Sequence, residues 1–152
     1  MANKPKAKGT SFETQCVTYL RARLGDERIE RRALHGNNDM GDIHNLFAHG
    51  HEGVVECKNY REWGPADLAK WKSQTVDERG NADADFALLV VHKDGCGKAR
   101  FGENHCYMQV RDLEKVIGGE FSCLYGDSSK DMWVCVTVDD ACKMILGEHD
   151  EA

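Results

Sequence analysis

No apolar run in this chain is long enough to span a bilayer, and its start carries no export signal. A cytoplasmic location with no membrane partner is therefore the expectation. There is no Gly-rich loop of the nucleotide-binding kind, no C-x-x-C pair, no internal repeat, and no low-complexity segment beyond a short basic start. The seven cysteines are an odd number without a regular framework. They read as reduced thiols and not as a disulfide scaffold. Positive charge is outweighed, with 20 Lys/Arg against 26 Asp/Glu. The net charge of −6 argues against a general affinity for polyanions.

What is present is ordinary for one globular domain: 152 residues, 30% charged and 41% hydrophobic. The charge is uneven. Residues 1–32 hold eight Lys/Arg against four Asp/Glu, so any phosphate-binding surface should draw on this third. Residues 1–9 read as a flexible basic arm, either a solvated terminus or a loose grip on a nucleic-acid backbone. Residues 10–152 read as a single domain.

The chain is organised around residues 41–60, where two apolar-rich runs flank a His/Gly turn and predict a β-hairpin. A turn centred near His49 sets Asp42 opposite Glu56. Alternation puts Glu56 and Lys58 on one face and Val55 and Cys57 on the other. Two carboxylates so placed repel unless a cation sits between them, and hard oxygen ligands suit Mg²⁺ or Mn²⁺. The lysine lies beside them.

Gly41-Asp42 followed by Glu56-Cys57-Lys58 resembles the signature of the PD-(D/E)XK nucleases, with Gly where that family has Pro. The likeness covers residues 9–95 and is to the Holliday-junction-resolvase branch and related nucleases of phages and prokaryotes. It implies a Mg²⁺-dependent DNA endonuclease, with Mn²⁺ able to substitute. Asp42 and Glu56 would hold the metal with the main-chain carbonyl of Cys57. Lys58 would position or deprotonate the attacking water. It also implies branched or four-way DNA as substrate and a homodimer with two sites. A restriction- or repair-type nuclease of the same superfamily is an alternative. A non-catalytic DNA-binding or assembly module is another, though a degenerate site usually loses one member of the Asp42/Glu56/Lys58 set.

The surrounding pattern fits this family's fold. A helix is expected over 11–24, with Thr10 and Glu13 at capping-box spacing and an apolar stripe of Phe12, Cys16, Val17, Leu20 and Leu24. Glu13 falls near the middle of that stripe. It either caps its own helix or reaches the metal, directly or through water, as a glutamate in this place does in the resembled resolvases. A strand is expected over 28–34. Arg28, Arg31 and Arg32 on it would contact phosphates or serve as edge charges. In the loop that follows, His35-Gly36 stands where the resolvases have a DNA-touching Ser-Gly pair. Asp39 reads as a turn residue.

After Lys58, Tyr60, Arg61 and Trp63 form an aromatic-basic loop able to stack on nucleic acid or to pack locally. Pro65 opens a second helix to about residue 79. Lys72 lies within its apolar arc and is free to snorkel toward phosphate. Gln74 lies on the flank, where many family members have a Gln that supports the lysine and the water. Strands over 86–92, 106–110 and 133–138 and helices over 112–117 and 139–146 complete the reading. The expected fold class is α/β: a restriction-endonuclease-like αβββαβ core, a mixed sheet flanked by helices, with additions over 96–152 that either cover the sheet or form a dimer interface.

Two other constellations are weighed. His92, Cys96, His105 and Cys106 suggest zinc, but adjacent His105 and Cys106 would face opposite ways on a strand. A Cys/His hydrolase would need an activated thiol, and Cys57 points to the apolar side.

Overall fold

The computed structural model describes residues 4–33, 39–121 and 126–148. The first helix, α1 (Lys4–Leu24), begins seven residues before the expected start at Ser11. Pro5 is tolerated in a first turn, and Lys and Ala are good helix formers. The Thr10–Glu13 capping box is therefore corrected. Thr10 sits inside the helix, where its carbonyl accepts from the Thr14 hydroxyl at 3.0 Å. The expected stripe is real: Phe12, Cys16, Val17 and Leu20 are all buried. Gly25, at φ +63°, ends the helix in the left-handed region.

Six strands form one sheet in the order β1 to β6, with ranges Glu30–Arg31, Ile43–Ala48, His51–Lys58, Phe86–Val91, His105–Gln109 and Trp133–Thr137. β1 is shorter than expected, and residues 34–38, including His35, lie outside the described residues. β3 and β4 are parallel and every other pairing is antiparallel. A parallel pair needs a crossover, and α2 (Pro65–Asn81) provides it. β4 is buried along its whole length. Phe86, Leu88 and Val90 join the α1-side core, while Leu89 and Val91 pack with Trp71 on the α2 side. This is the mixed, helix-flanked sheet of a restriction-endonuclease-like fold.

The segment after residue 96 covers the sheet. β5 and β6 extend it, and α3 (Val110–Ile117) and α4 (Val138–Leu146) add Val116, Val138, Ala141 and Cys142 to the α1-side core. At the start of α3, the buried Asp112 accepts from Arg79 at 2.9 Å and from the amides of Ala87 and Gln109 at 3.1 and 3.0 Å. One carboxylate thereby ties α2, β4 and β5 together. Among the described residues no helix is long and apolar enough to cross a membrane.

Candidate active site

The hairpin fixes the site. Ala48 pairs with His51, so the turn is the two residues His49-Gly50, both with positive φ (48° and 82°). That is the geometry of a tight hairpin turn matched to strand twist. Leu46 pairs with Gly53 in the same register, but Ile43 pairs with Val55, one residue out. His44 and Asn45 together oppose Val54, and Asn45 takes φ +62°. This is a β-bulge, and its consequence is chemical. Leu46 and Ala48 face the α1-side core. Plain alternation would send Asp42 into that core as well. The bulge reverses the parity, so Ile43 is buried there and Asp42 comes to the face of Glu56 and Lys58.

Gly41 precedes Asp42 at φ +94°, and a Cβ there would sit 3.3 Å from Val54 Cβ. Proline, fixed near φ −65°, cannot occupy this position. The left-handed φ at this position is therefore incompatible with the Pro of the signature and suits glycine.

The Asp42 carboxylate accepts from the Cys57 amide at 2.8 Å. Burial, and then the neighbouring Glu56 charge, push it up to about 7. The Lys58 ammonium lies 3.1 Å from Glu56 Oε1. Burial draws its pKa down, but attraction to Glu56 and Asp42 outweighs this and leaves it raised. Glu13 reaches the same place from α1. Its pKa is raised by burial and by Asp42, while Arg31, 3.0 Å away, opposes the shift. The structure therefore brings Glu13, Asp42, Glu56 and Lys58 together.

Gln74 also belongs here, since its amide donates to Asp39 Oδ2 at 3.3 Å. Asp39 is a turn residue, with Oδ1 accepting from the Gly41 amide at 3.0 Å. Asp39 also belongs to an acidic group that sequence spacing alone does not bring together. Ligand atoms of Asp39, Glu56 and Glu78 all lie within 4.8 Å of one another. Glu78 is 1% exposed, and burial, then Glu56 and Asp39, hold its carboxyl far above the usual carboxylate range. A signal for it existed. Trp71, Thr75 and Glu78 are spaced four and three apart, which puts Glu78 on the buried face of α2. The reasoning that singled out Glu13 applies equally to Glu78.

Buried side-chain atoms without a hydrogen-bond partner among the described residues are Arg32 Nε, Glu56 Oε2, Asn59 Oδ1, both Glu78 oxygens and His92 Nδ1. Glu56 and Glu78 are in the acidic group, Asn59 follows Lys58, the Arg32 amide donates to the Asp42 carbonyl, and the His92 amide donates to the Lys58 carbonyl. Unpaired buried polar atoms are rare and costly, and these gather at one end of the sheet. Orphaned carboxylate oxygens and hard donors fit a divalent cation.

The expected nucleic-acid contacts divide by place. Arg31 and Arg32 line a cleft of about 370 Å³ beside β1. Tyr60 is half exposed and stacks on Trp71 at 5.2 Å. Arg61 lines a cleft of about 460 Å³ with Trp63, His92, Lys93 and His105. Arg28 instead pairs with Asp26 at 2.8 Å and lies over the Phe47 ring, a strand-length from Asp42 or roughly 15 Å. The Lys72 ammonium lies 5.5 Å from the Tyr107 and Trp133 rings, over β5 and β6.

The other two constellations do not assemble. His92 faces the Cys96 carbonyl at 2.9 Å, and Cys106 is fully buried while its neighbour His105 lines the open cleft. The Cys57 thiol packs against Cys16, which with burial holds its pKa well above the usual value, so it is no nucleophile.

A mixed sheet with Asp42 just before its second strand and Glu56 and Lys58 on its third defines a restriction-endonuclease-like fold. The chain matches the family described as "Phage putative PDDEXK endonuclease" over residues 4–122, and it belongs to that family. No curated protein and no solved structure matches it.

Proposed function

We propose that the protein is a divalent-metal-dependent endonuclease that hydrolyses DNA phosphodiester bonds. The observation that carries this reading is the bulge-dependent placement of Asp42 on the face where Lys58 meets Glu56 at 3.1 Å. Asp42, Glu56 and the Cys57 carbonyl would hold Mg²⁺, or Mn²⁺ in its place, with Glu13 orienting Asp42. The cation would supply a lowered pKa for the attacking water and stabilise charge on the phosphate oxygens. Lys58, kept as an ammonium by Glu56 and Asp42, would orient that water by donating a hydrogen bond to it. The Cys57 amide fixes the Asp42 carboxylate. Gln74 fixes Asp39 at the rim. Arg31, Arg32, Tyr60 and Arg61 would bind the backbone and flanking bases, while Arg28 and Lys72 would be outlying contacts at most.

Branched DNA, such as a four-way junction cut by a pair of subunits, is the substrate class this reading prefers. Its support is the likeness of the Gly41-Asp42 and Glu56-Cys57-Lys58 pattern to the resolvase branch. The test is a panel of fluorescent four-way, flap and plain duplex substrates with Mg²⁺, with the oligomeric state measured alongside. Paired nicks in the four-way substrate by a dimer are expected. Preferential cutting of plain duplex would move the protein to a restriction- or repair-type activity. Binding without cutting of any substrate would leave a DNA-binding module.

A further inference from the structure

The acidic group on α2 carries a second inference, which shares Glu56 with the reading above but does not need cleavage for its test. Gln74, Glu78 and Asn81 follow one line of the helix at spacings of four and three. Gln74 donates to the Asp39 carboxylate at 3.3 Å, and Asn81 donates to the Asp39 carbonyl at 2.8 Å. Together with the Gly41 amide they hold Asp39 with its carboxylate beside Glu78.

Glu78 is buried and neither of its oxygens has a partner. Neither does Glu56 Oε2. Two nearby cations are committed elsewhere, Lys58 to Glu56 Oε1 and Arg79 to Asp112 and Gln109. Three carboxylate oxygens, two of Glu78 and one of Glu56, thus lack a partner beside Asp39. A shared proton joins two of them and leaves the third unsatisfied. A hard divalent ion takes oxygen ligands from all three residues at once.

We propose that Asp39, Glu56 and Glu78 bind a divalent cation of the Mg²⁺/Mn²⁺ class, in addition to the one held by Asp42 and Glu56. Asp39 and Glu78 lie outside the Asp42/Glu56/Lys58 signature. Glu56 bridges the two positions, and the exposed side of Asp39 leaves the second open to a phosphate oxygen.

The test counts Mn²⁺ on the full, metal-stripped chain by electron paramagnetic resonance and isothermal titration. Wild type is expected to bind one ion more than Glu78→Gln. Asp39→Asn is expected to bind that ion at least tenfold more weakly. An equal ion count and affinities within twofold across wild type and both variants would overturn the proposal in favour of a shared proton. If Glu78→Gln does not fold, Asp39→Asn on the exposed rim decides the outcome by the same criterion. Loss of cleavage in Asp42→Asn with no change of ion count in Glu78→Gln would sink this site alone. Wild-type cleavage by Asp42→Asn would instead sink the nuclease assignment of the signature.

Discussion

Asp42 and Glu56 face the same way across β2 and β3 because Asn45 bulges between them and the turn. With the same residues in plain alternation, Asp42 would instead turn to the core side. Asn45→Val, whose β-branched side chain resists positive φ, should disfavour the bulge, turn Asp42 toward the core side, and cut cleavage by at least about 100-fold. Circular dichroism should still report a folded α/β protein. Asn45→Gly, which tolerates positive φ, should retain activity within a few-fold.

Lys58 acts on chemistry more than on folding in this account. Lys58→Ala should lower kcat by about 10²–10⁴-fold with little change in DNA affinity. Single-turnover rates and binding isotherms measured on the same substrate separate the two effects. A matched loss of affinity and rate would recast Lys58 as a phosphate-binding residue.

The Asp112 network is structural. Asp112→Ala takes one acceptor from the partly buried Arg79, which keeps Gln109, and leaves two amides unpaired, so it should cost about 2–4 kcal/mol. Urea denaturation reads this directly. A loss below about 1 kcal/mol would show that α3 is not anchored through this carboxylate.

A pH-dependent link joins α1 to α4. Asp139 is held below its ordinary value by its hydrogen bond to Arg23, with a further one from the Tyr19 hydroxyl. A depressed carboxylate stabilises the fold above its unfolded value of 3.8, and that contribution is lost as pH falls through the folded value. The Asp139 side chain is 37% exposed, so solvent screening limits the pair to about 1 kcal/mol. The Tm gap between wild type and Arg23→Met should be about 2–4 °C at pH 7 and narrow toward pH 3.

The parts of the fold that rest on periodicity were legible. The α1 stripe, the start of α2 at Pro65, the fully apolar β4 and the parity of Glu56 and Lys58 all follow from spacing alone. The Asp42–Glu56 pairing was also expected, but from a turn centred on His49. The real turn is His49-Gly50, and the bulge restores the register. A bulge leaves only a single positive φ at Asn45, which no pattern of hydrophobicity reveals. The start of α1 differs because Thr10 and Glu13 match a capping box locally, while Glu13 pairs with Arg31 beside Asp42. Asp39 and Glu78 lie 39 residues apart, and only the packing of α2 on the sheet brings them together.

The most direct measurement of the central claim is cleavage of one DNA substrate by wild type and by Asp42→Asn, each with Mg²⁺ and with excess EDTA. The account predicts cutting by wild type with Mg²⁺ alone, and a loss of at least about 100-fold in the variant. Equal cutting by the two proteins, or cutting that persists in EDTA, would contradict it.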